Sequence, residues 1–172
     1  MKWRVLVSAP YFIPIIEEWR PQLAAKGIEL ITADVNERLS EAELLEVITD
    51  VDGIICGDDR ITRRVLESAP RLKVISKWGT GIDSIDSEAA AQRGIPVFRT
   101  PNAFSEPVAD TVMGYVLTFA RKLPWMDRDI RAGRWEKPPL VSLLECTLGV
   151  IGVGDCGRAV VRRADAFGMR VV

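Results

Sequence analysis

Between residues 3 and 98 short apolar runs alternate with stretches of helical periodicity. The runs at 3–7, 28–32, 53–56, 72–76 and 95–98 read as strands, and the 53–56 run has the look of a buried one. A helix is expected over 15–25, with Pro14 suited to its first turn and Gly27 just past its end. Ser40 and Glu43 have the spacing of a capping box for a helix reaching about Ile48. Shorter helices are expected over 61–68, ending before Pro70, and over 85–92, closed by Gly94. Strands separated by helices imply right-handed βαβ units and a parallel sheet. Five strands with no Gly-x-Gly-x-x-Gly in the first turn suggest a flavodoxin-like doubly wound α/β domain.

Thr100-Pro101-Asn102 breaks this rhythm. A helix is expected over 107–122, with Val108, Val112, Tyr115, Val116 and Phe119 at helical spacing, and a second over 124–132. Residues 133–139 form a polar connector. A strand over 147–151, a Gly-rich turn over 152–157, a helix over 158–167 and a strand over 169–172 follow, which is the start of a Rossmann dinucleotide-binding domain. The expected division is therefore 1–101 and 102–172. A βαβ unit stopped at its second strand leaves an apolar sheet edge with few neighbours, so these residues are expected to belong to a longer protein.

Composition narrows the function classes. Hydrophobic residues at 48% and charged residues at 27% fit a globular chain. A formal net charge of −1 gives no basis for broad attachment to nucleic acid or anionic lipid. No apolar run is long enough to cross a bilayer, and the first strand is too short for a signal-peptide core; a cytoplasmic location is expected. The three cysteines, Cys56, Cys146 and Cys156, form no Cys-x-x-Cys pair, so neither a disulfide framework nor a metal site is expected. The chain has no histidine, which removes Ser-His-Asp and Cys-His chemistry.

Two Gly-rich turns carry candidate chemistry. Gly152-Val153-Gly154-Asp155-Cys156-Gly157 follows an apolar strand and opens a helix, the context a dinucleotide fingerprint requires. Gly152 would allow the tight turn, Gly154 would admit a pyrophosphate, and Gly157 would let the helix pack closely. The acidic residue that would hold the ribose hydroxyls falls just past Val172, so NAD and NADP are not told apart. Lys77-Trp78-Gly79-Thr80-Gly81 follows the fourth strand, at the end of the sheet where doubly wound folds bind ligands. Its glycines permit an anion-holding nest with Lys77 as a nearby cation, but on residue types alone a plain glycine turn with a solvated Lys77 fits better. Asn102 and Ser105 read as turn and N-cap residues of the next helix.

Taken in order, 73–86, Gly94-Ile95-Pro96-Val97, Thr100-Pro101-Asn102, Val108-Ala109-Asp110, Gly133-Arg134-Trp135 and 148–168 resemble the D-2-hydroxyacid dehydrogenases, most nearly their D-3-phosphoglycerate dehydrogenase branch. The resemblance covers essentially the whole chain. It implies a two-domain, NAD-dependent oxidoreductase acting on a small 2-hydroxy or 2-oxo acid. Lys77, Trp78, Gly79 and Thr80 would lie on the substrate side, with Thr80 also near the cofactor. Gly152, Gly154, Asp155, Cys156 and Gly157 would meet the cofactor, and the 107–132 helices would form a homodimer. The Arg, His and carboxylate that such enzymes use in catalysis normally follow the fingerprint, so no catalytic residue is expected within this chain. Three positions depart from the pattern: Asp110 replaces a usual Glu, Trp78 a small residue and Cys156 an Ile. The indole of Trp78 would reshape the substrate pocket. The same resemblance extends to non-catalytic NAD-binding corepressors, which leaves a regulatory or scaffold module as the alternative. A flavin-binding or receiver domain would leave the 152–157 fingerprint unexplained.

Overall fold

The structure is a computed structural model that describes residues 2–172. The chain forms two compact units, Met1–Pro101 and Asn102–Val172.

In the first unit, strands β1 (Trp3–Val7), β2 (Ile28–Thr32), β3 (Gly53–Cys56), β4 (Val74–Lys77) and β5 (Val97–Phe98) form one sheet in the order β2-β1-β3-β4-β5, all neighbours parallel. The period-2 alternation of a strand divides its side chains between two cores. Val7 and Leu30 pack with Phe12 and Ile16, under α1 (Ile16–Ala25). Leu6, Ile54, Cys56 and Ile75 face the other way, toward α2 (Glu41–Val47), α3 (Arg63–Glu67) and α4 (Ser87–Gln92). Pro14 sits not in α1 itself but in a 3-10 turn, Ile13–Ile15, that leads into it.

The capping box at α2 forms as its spacing predicts. Ser40 Oγ accepts from the Glu43 N–H at 3.3 Å, and the Glu43 carboxylate accepts from the Ser40 N–H at 2.8 Å. Two helices start later than their apolar periodicity suggests. Ile61 and Ile85 are paired with each other in a parallel bridge, and α3 and α4 begin only after Thr62 and Asp86. The side chains of those two residues accept from the N–H groups of Val65 (3.4 Å) and Ala89 (2.8 Å), so capping fixes the boundary. β5 is shorter than expected because Pro96, having no N–H, only accepts, from Ile75 at 3.0 Å.

One acidic side chain ties the amino ends of the strands together. Asp52 accepts from the Arg4 N–H at 2.9 Å and from the Arg71 guanidinium at 3.1 and 2.9 Å. The Arg4 N–H first, and then Arg71, hold its carboxyl below the usual Asp range.

The second unit contains α5 (Ser105–Ala120), α6 (Leu123–Arg131), a two-stranded parallel sheet of β6 (Thr147–Leu148) and β7 (Arg170–Val171), and α7 (Asp155–Ala166). Small residues, Ala109 on α5 and Ala159 on α7, let the two helices pack closely. Arg163 pairs with Asp110 at 2.7 Å and with Glu106 at 2.8 Å, so the Asp at position 110 keeps an ion pair between the helices. The two strands are shorter than expected, although the Val150 N–H still donates to the Val172 carbonyl at 2.9 Å. α7 starts at Asp155, three residues before the expected 158, because the extended Gly154 is its N-cap; Asp155, Cys156 and Gly157 form its first turn. No helix among the described residues is long and apolar enough to cross a membrane.

Candidate functional site

At the carboxyl end of the five-stranded sheet, Ser8 follows β1, Gly57-Asp58-Asp59 follows β3 and Lys77 closes β4. Parallel strands bring these residues to one edge. The fully buried Asp59 carboxylate accepts from Ser8 Oγ at 2.6 Å, the Leu39 N–H at 2.6 Å and the Gly57 N–H at 3.1 Å. Burial pushes its pKa up, against those hydrogen bonds and the nearby Lys77. Burial likewise pushes the Cys56 thiol up to about 12.

Lys77 is only 4% exposed. Its Nζ donates to the Gly57 carbonyl at 2.5 Å and pairs with the Asp58 carboxylate. The cation expected beside the glycine nest is therefore directed back into the sheet edge. The other four residues of the motif, Trp78 to Gly81, form the loop that leaves it. The Trp78 N–H donates to the Cys56 carbonyl at 2.8 Å. A Cβ on Gly79, whose φ is +155°, would lie 3.1 Å from Lys77 Cε, so the buried lysine stem and the glycine fit together. The Thr80 hydroxyl donates to the Thr100 carbonyl at 3.0 Å, the Thr100 N–H to the Gly79 carbonyl at 2.9 Å, and the Arg99 guanidinium to the Thr80 carbonyl at 3.2 Å. The loop is thus pinned to the segment after β5. Trp78 stacks on Phe12 with ring centroids 4.7 Å apart and planes 25° apart, and keeps 39% of its surface exposed.

Sequence reasoning missed Ser8, Phe12, Asp58 and Asp59. The signal within reach was Gly57-Asp58-Asp59 placed directly after a buried strand, at the ligand-binding end of a doubly wound sheet.

In the second unit, the Gly152 to Gly157 turn has the shape its spacing predicts. A Cβ on Gly157 would lie 2.2 Å from the Gly152 carbonyl oxygen, so only glycine lets α7 approach its own entry turn. A Cβ on Gly152 or Gly154 would meet nothing within 4 Å. No side chain caps α7, so its first N–H groups are left without a side-chain partner. Asp155 pairs with Arg158, and the Asn102 amide, its nitrogen turned toward the carboxylate, donates to both Asp155 oxygens (3.2 and 2.5 Å). These contacts offset the one negative charge at the helix entrance. Cys156 is exposed, with Sγ 4.0 Å from Ser105 Oγ. Ser105 is the first residue of α5 rather than its cap, and Asn102 takes a left-handed φ of +63° before it. An open glycine edge at an uncapped helix N-terminus suits a pyrophosphate. Among the described residues, no group of three or more His, Cys, Asp or Glu side chains is arranged to hold a metal ion.

Residues 5–164 match the model of the D-isomer specific 2-hydroxyacid dehydrogenase catalytic domain. The chain is 41% identical over 147 residues to a D-3-phosphoglycerate dehydrogenase of Methanocaldococcus jannaschii, covering 84% of this chain and 28% of that one. It is 37% identical to a hydroxypyruvate reductase of Thermotoga maritima, covering 99% and 55%. Among solved structures, the D-lactate dehydrogenase of Aquifex aeolicus complexed with NAD and lactic acid superposes with a TM-score of 0.79 at 26% identity, over 98% of this chain and 50% of that one. An NADPH-dependent glyoxylate/hydroxypyruvate reductase of Sinorhizobium meliloti, complexed with NADP and malonate, has a TM-score of 0.77 at 30% identity, over 100% and 53%. The chain spans between about a quarter and just over half the length of these proteins.

Proposed function

The chain belongs to the D-isomer specific 2-hydroxyacid dehydrogenase family, and on that premise we propose that it is the first half of an oxidoreductase that interconverts a small D-2-hydroxy acid and its 2-oxo acid with NAD, NADP being the other cofactor its family uses. The single observation that carries the cofactor half of this reading is the 2.2 Å approach of a Gly157 Cβ to the Gly152 carbonyl, beside an open Gly154 and an uncapped α7. A dinucleotide supplies the hydride chemistry when bound.

The residues present have separate tasks. The N–H groups of the α7 first turn, at Asp155, Cys156 and Gly157, receive the pyrophosphate, helped by the positive end of the helix dipole. Gly152 and Gly154 keep side chains out of its path. Trp78, Gly79 and Thr80 form the substrate-side loop, with Lys77 anchoring its base rather than binding the acid directly. With no histidine among the 172 residues, the group that moves the substrate hydroxyl proton, and the arginine that holds its carboxylate, are assigned to a later part of the full-length protein. The protein is proposed to work in the cytoplasm as a homodimer through α5 and α6. Exposed Tyr115, Phe119, Leu123, Trp125 and Ile130 on those helices support that assembly.

The test is turnover by the full-length protein of a panel of 2-oxo acids with NADH and NADPH, followed by nicotinamide absorbance. Reduction of at least one acid is expected. No reduction across the panel, with tight NAD binding retained, would favour a regulatory dinucleotide-binding module instead.

A further inference from the structure

We propose that the substrate-side loop selects an acid with an apolar tail, and that Phe12 and Trp78 form the surface that makes the selection. The inference rests on the dehydrogenase reading and narrows its substrate class.

The first argument is charge. At the carboxyl ends of β3 and β4 one ammonium, Lys77, stands with two carboxylates, Asp58 and Asp59. Lys77 Nζ is buried and already shared between the Gly57 carbonyl and Asp58. With Asp59 ionised this trio is net negative, and with Asp59 protonated it is neutral. Neither state attracts a dianionic phosphate on a substrate tail, and pulling Lys77 out to meet one would leave the Gly57 carbonyl buried without its donor. Arg99, the other cation in contact with the loop, has its guanidinium on the Thr80 carbonyl at 3.2 Å.

The second argument is shape. The Trp78 indole is the one large side chain of the Trp78-Gly79-Thr80-Gly81 loop. One face is covered by Phe12 at 4.7 Å, while 39% of the residue stays open. Phe12 is itself buried in the core beneath α1 with Val7 and Ile16. It therefore holds the indole against the sheet end as a fixed aromatic wall. An aromatic wall whose neighbouring ammonium is already paired favours a hydrocarbon tail over a phosphorylated one. Trp78 is the specificity-determining residue and Phe12 the positioning residue behind it.

The experiment is kcat/KM of the full-length enzyme with its nicotinamide cofactor on 2-oxo acids that differ only in the tail: hydrogen, hydroxymethyl, phosphorylated hydroxymethyl, isobutyl and benzyl. The isobutyl or benzyl acid is expected to exceed the phosphorylated one by about tenfold or more. Trp78→Ala should lower the ratio of apolar-tail to tail-less kcat/KM by about tenfold, mainly through KM. Phe12→Leu should lower the same ratio less, and Phe12→Tyr, which keeps the ring, should restore it. A phosphorylated acid as best substrate, with Arg99→Gln removing that preference, would overturn this inference and leave the dehydrogenase reading standing. An unchanged tail ratio in Trp78→Ala would overturn it as well. Absence of turnover on every acid would overturn the dehydrogenase reading and this inference with it.

Discussion

The α-carbon of Gly157 faces the carbonyl oxygen of Gly152 so closely that a β-carbon added there would lie 2.2 Å from it. Both groups are backbone, so no rotamer change relieves the clash. Gly157→Ala is expected to destabilise the second unit by about 1–3 kcal/mol or more, as overpacking does, and to abolish dinucleotide binding. Gly154→Ala is the contrasting variant. Its Cβ would meet nothing within 4 Å and its φ of −75° suits alanine. It should unfold at the wild-type temperature yet bind NAD more weakly. Thermal unfolding read beside calorimetric titration with NAD separates the two outcomes.

Asp59 is the buried acceptor for three donors from separate parts of the chain. Asp59→Ala would strand the N–H groups of Leu39 and Gly57, and should cost about 1–3 kcal/mol for each donor left without a partner. Ser8→Ala removes one neutral donor and should cost about 1 kcal/mol. Urea unfolding midpoints provide the comparison, and equal effects of the two substitutions would show that Asp59 does not act as the shared acceptor.

Sequence pattern foretold these features unevenly. Ser40 and Glu43 lie three residues apart and their capping box is local, so spacing alone reveals it. Ile61 and Ile85 mislead a periodicity search, since each is buried by a bridge to the other across the chain and not by a helix face. The fate of Lys77 was hidden for a similar reason. Its partners Gly57 and Asp58 follow a neighbouring strand, and only the parallel register that sets Cys56 beside Lys77 brings them into reach. The glycine turn at Gly152 to Gly157 was legible because its demands are made by one short segment on itself.

Acid should loosen the first unit through Asp52. Its carboxyl is held below the usual range in the folded state, so at low pH the unfolded chain binds the extra proton. Its contribution is complete above the ordinary Asp range and is lost as pH falls through the depressed folded value. Asp59 runs the other way: its folded pKa is raised, so its contribution is complete below the ordinary range and declines as pH rises through the raised value. Asp52→Asn should therefore lower stability at neutral pH and flatten the acid limb of a stability-against-pH curve. A wild-type acid limb that survives in Asp52→Asn would assign it to other carboxylates.

The three thiols should react in a fixed order. Cys56 is buried, with its thiol pushed up to about 12, and should resist alkylation until the chain unfolds. Cys156 is exposed in the first turn of α7 and should react first. If NAD occupies that turn, saturating NAD should slow alkylation of Cys156 and leave Cys146 unaffected. Mass mapping after brief iodoacetamide treatment gives both readings.

The Asp59 hub also bears on how ready the strand ends are before any ligand arrives. Ser8, Leu39 and Gly57 come from three loops that would otherwise fluctuate independently, and one carboxylate immobilises all of them. A ligand meeting such an edge loses little of its binding energy to freezing loops, because that conformational entropy was surrendered when the chain folded. Amide hydrogens at Leu39 and Gly57 should accordingly exchange with solvent as slowly as those of the central strands, although both lie outside regular secondary structure.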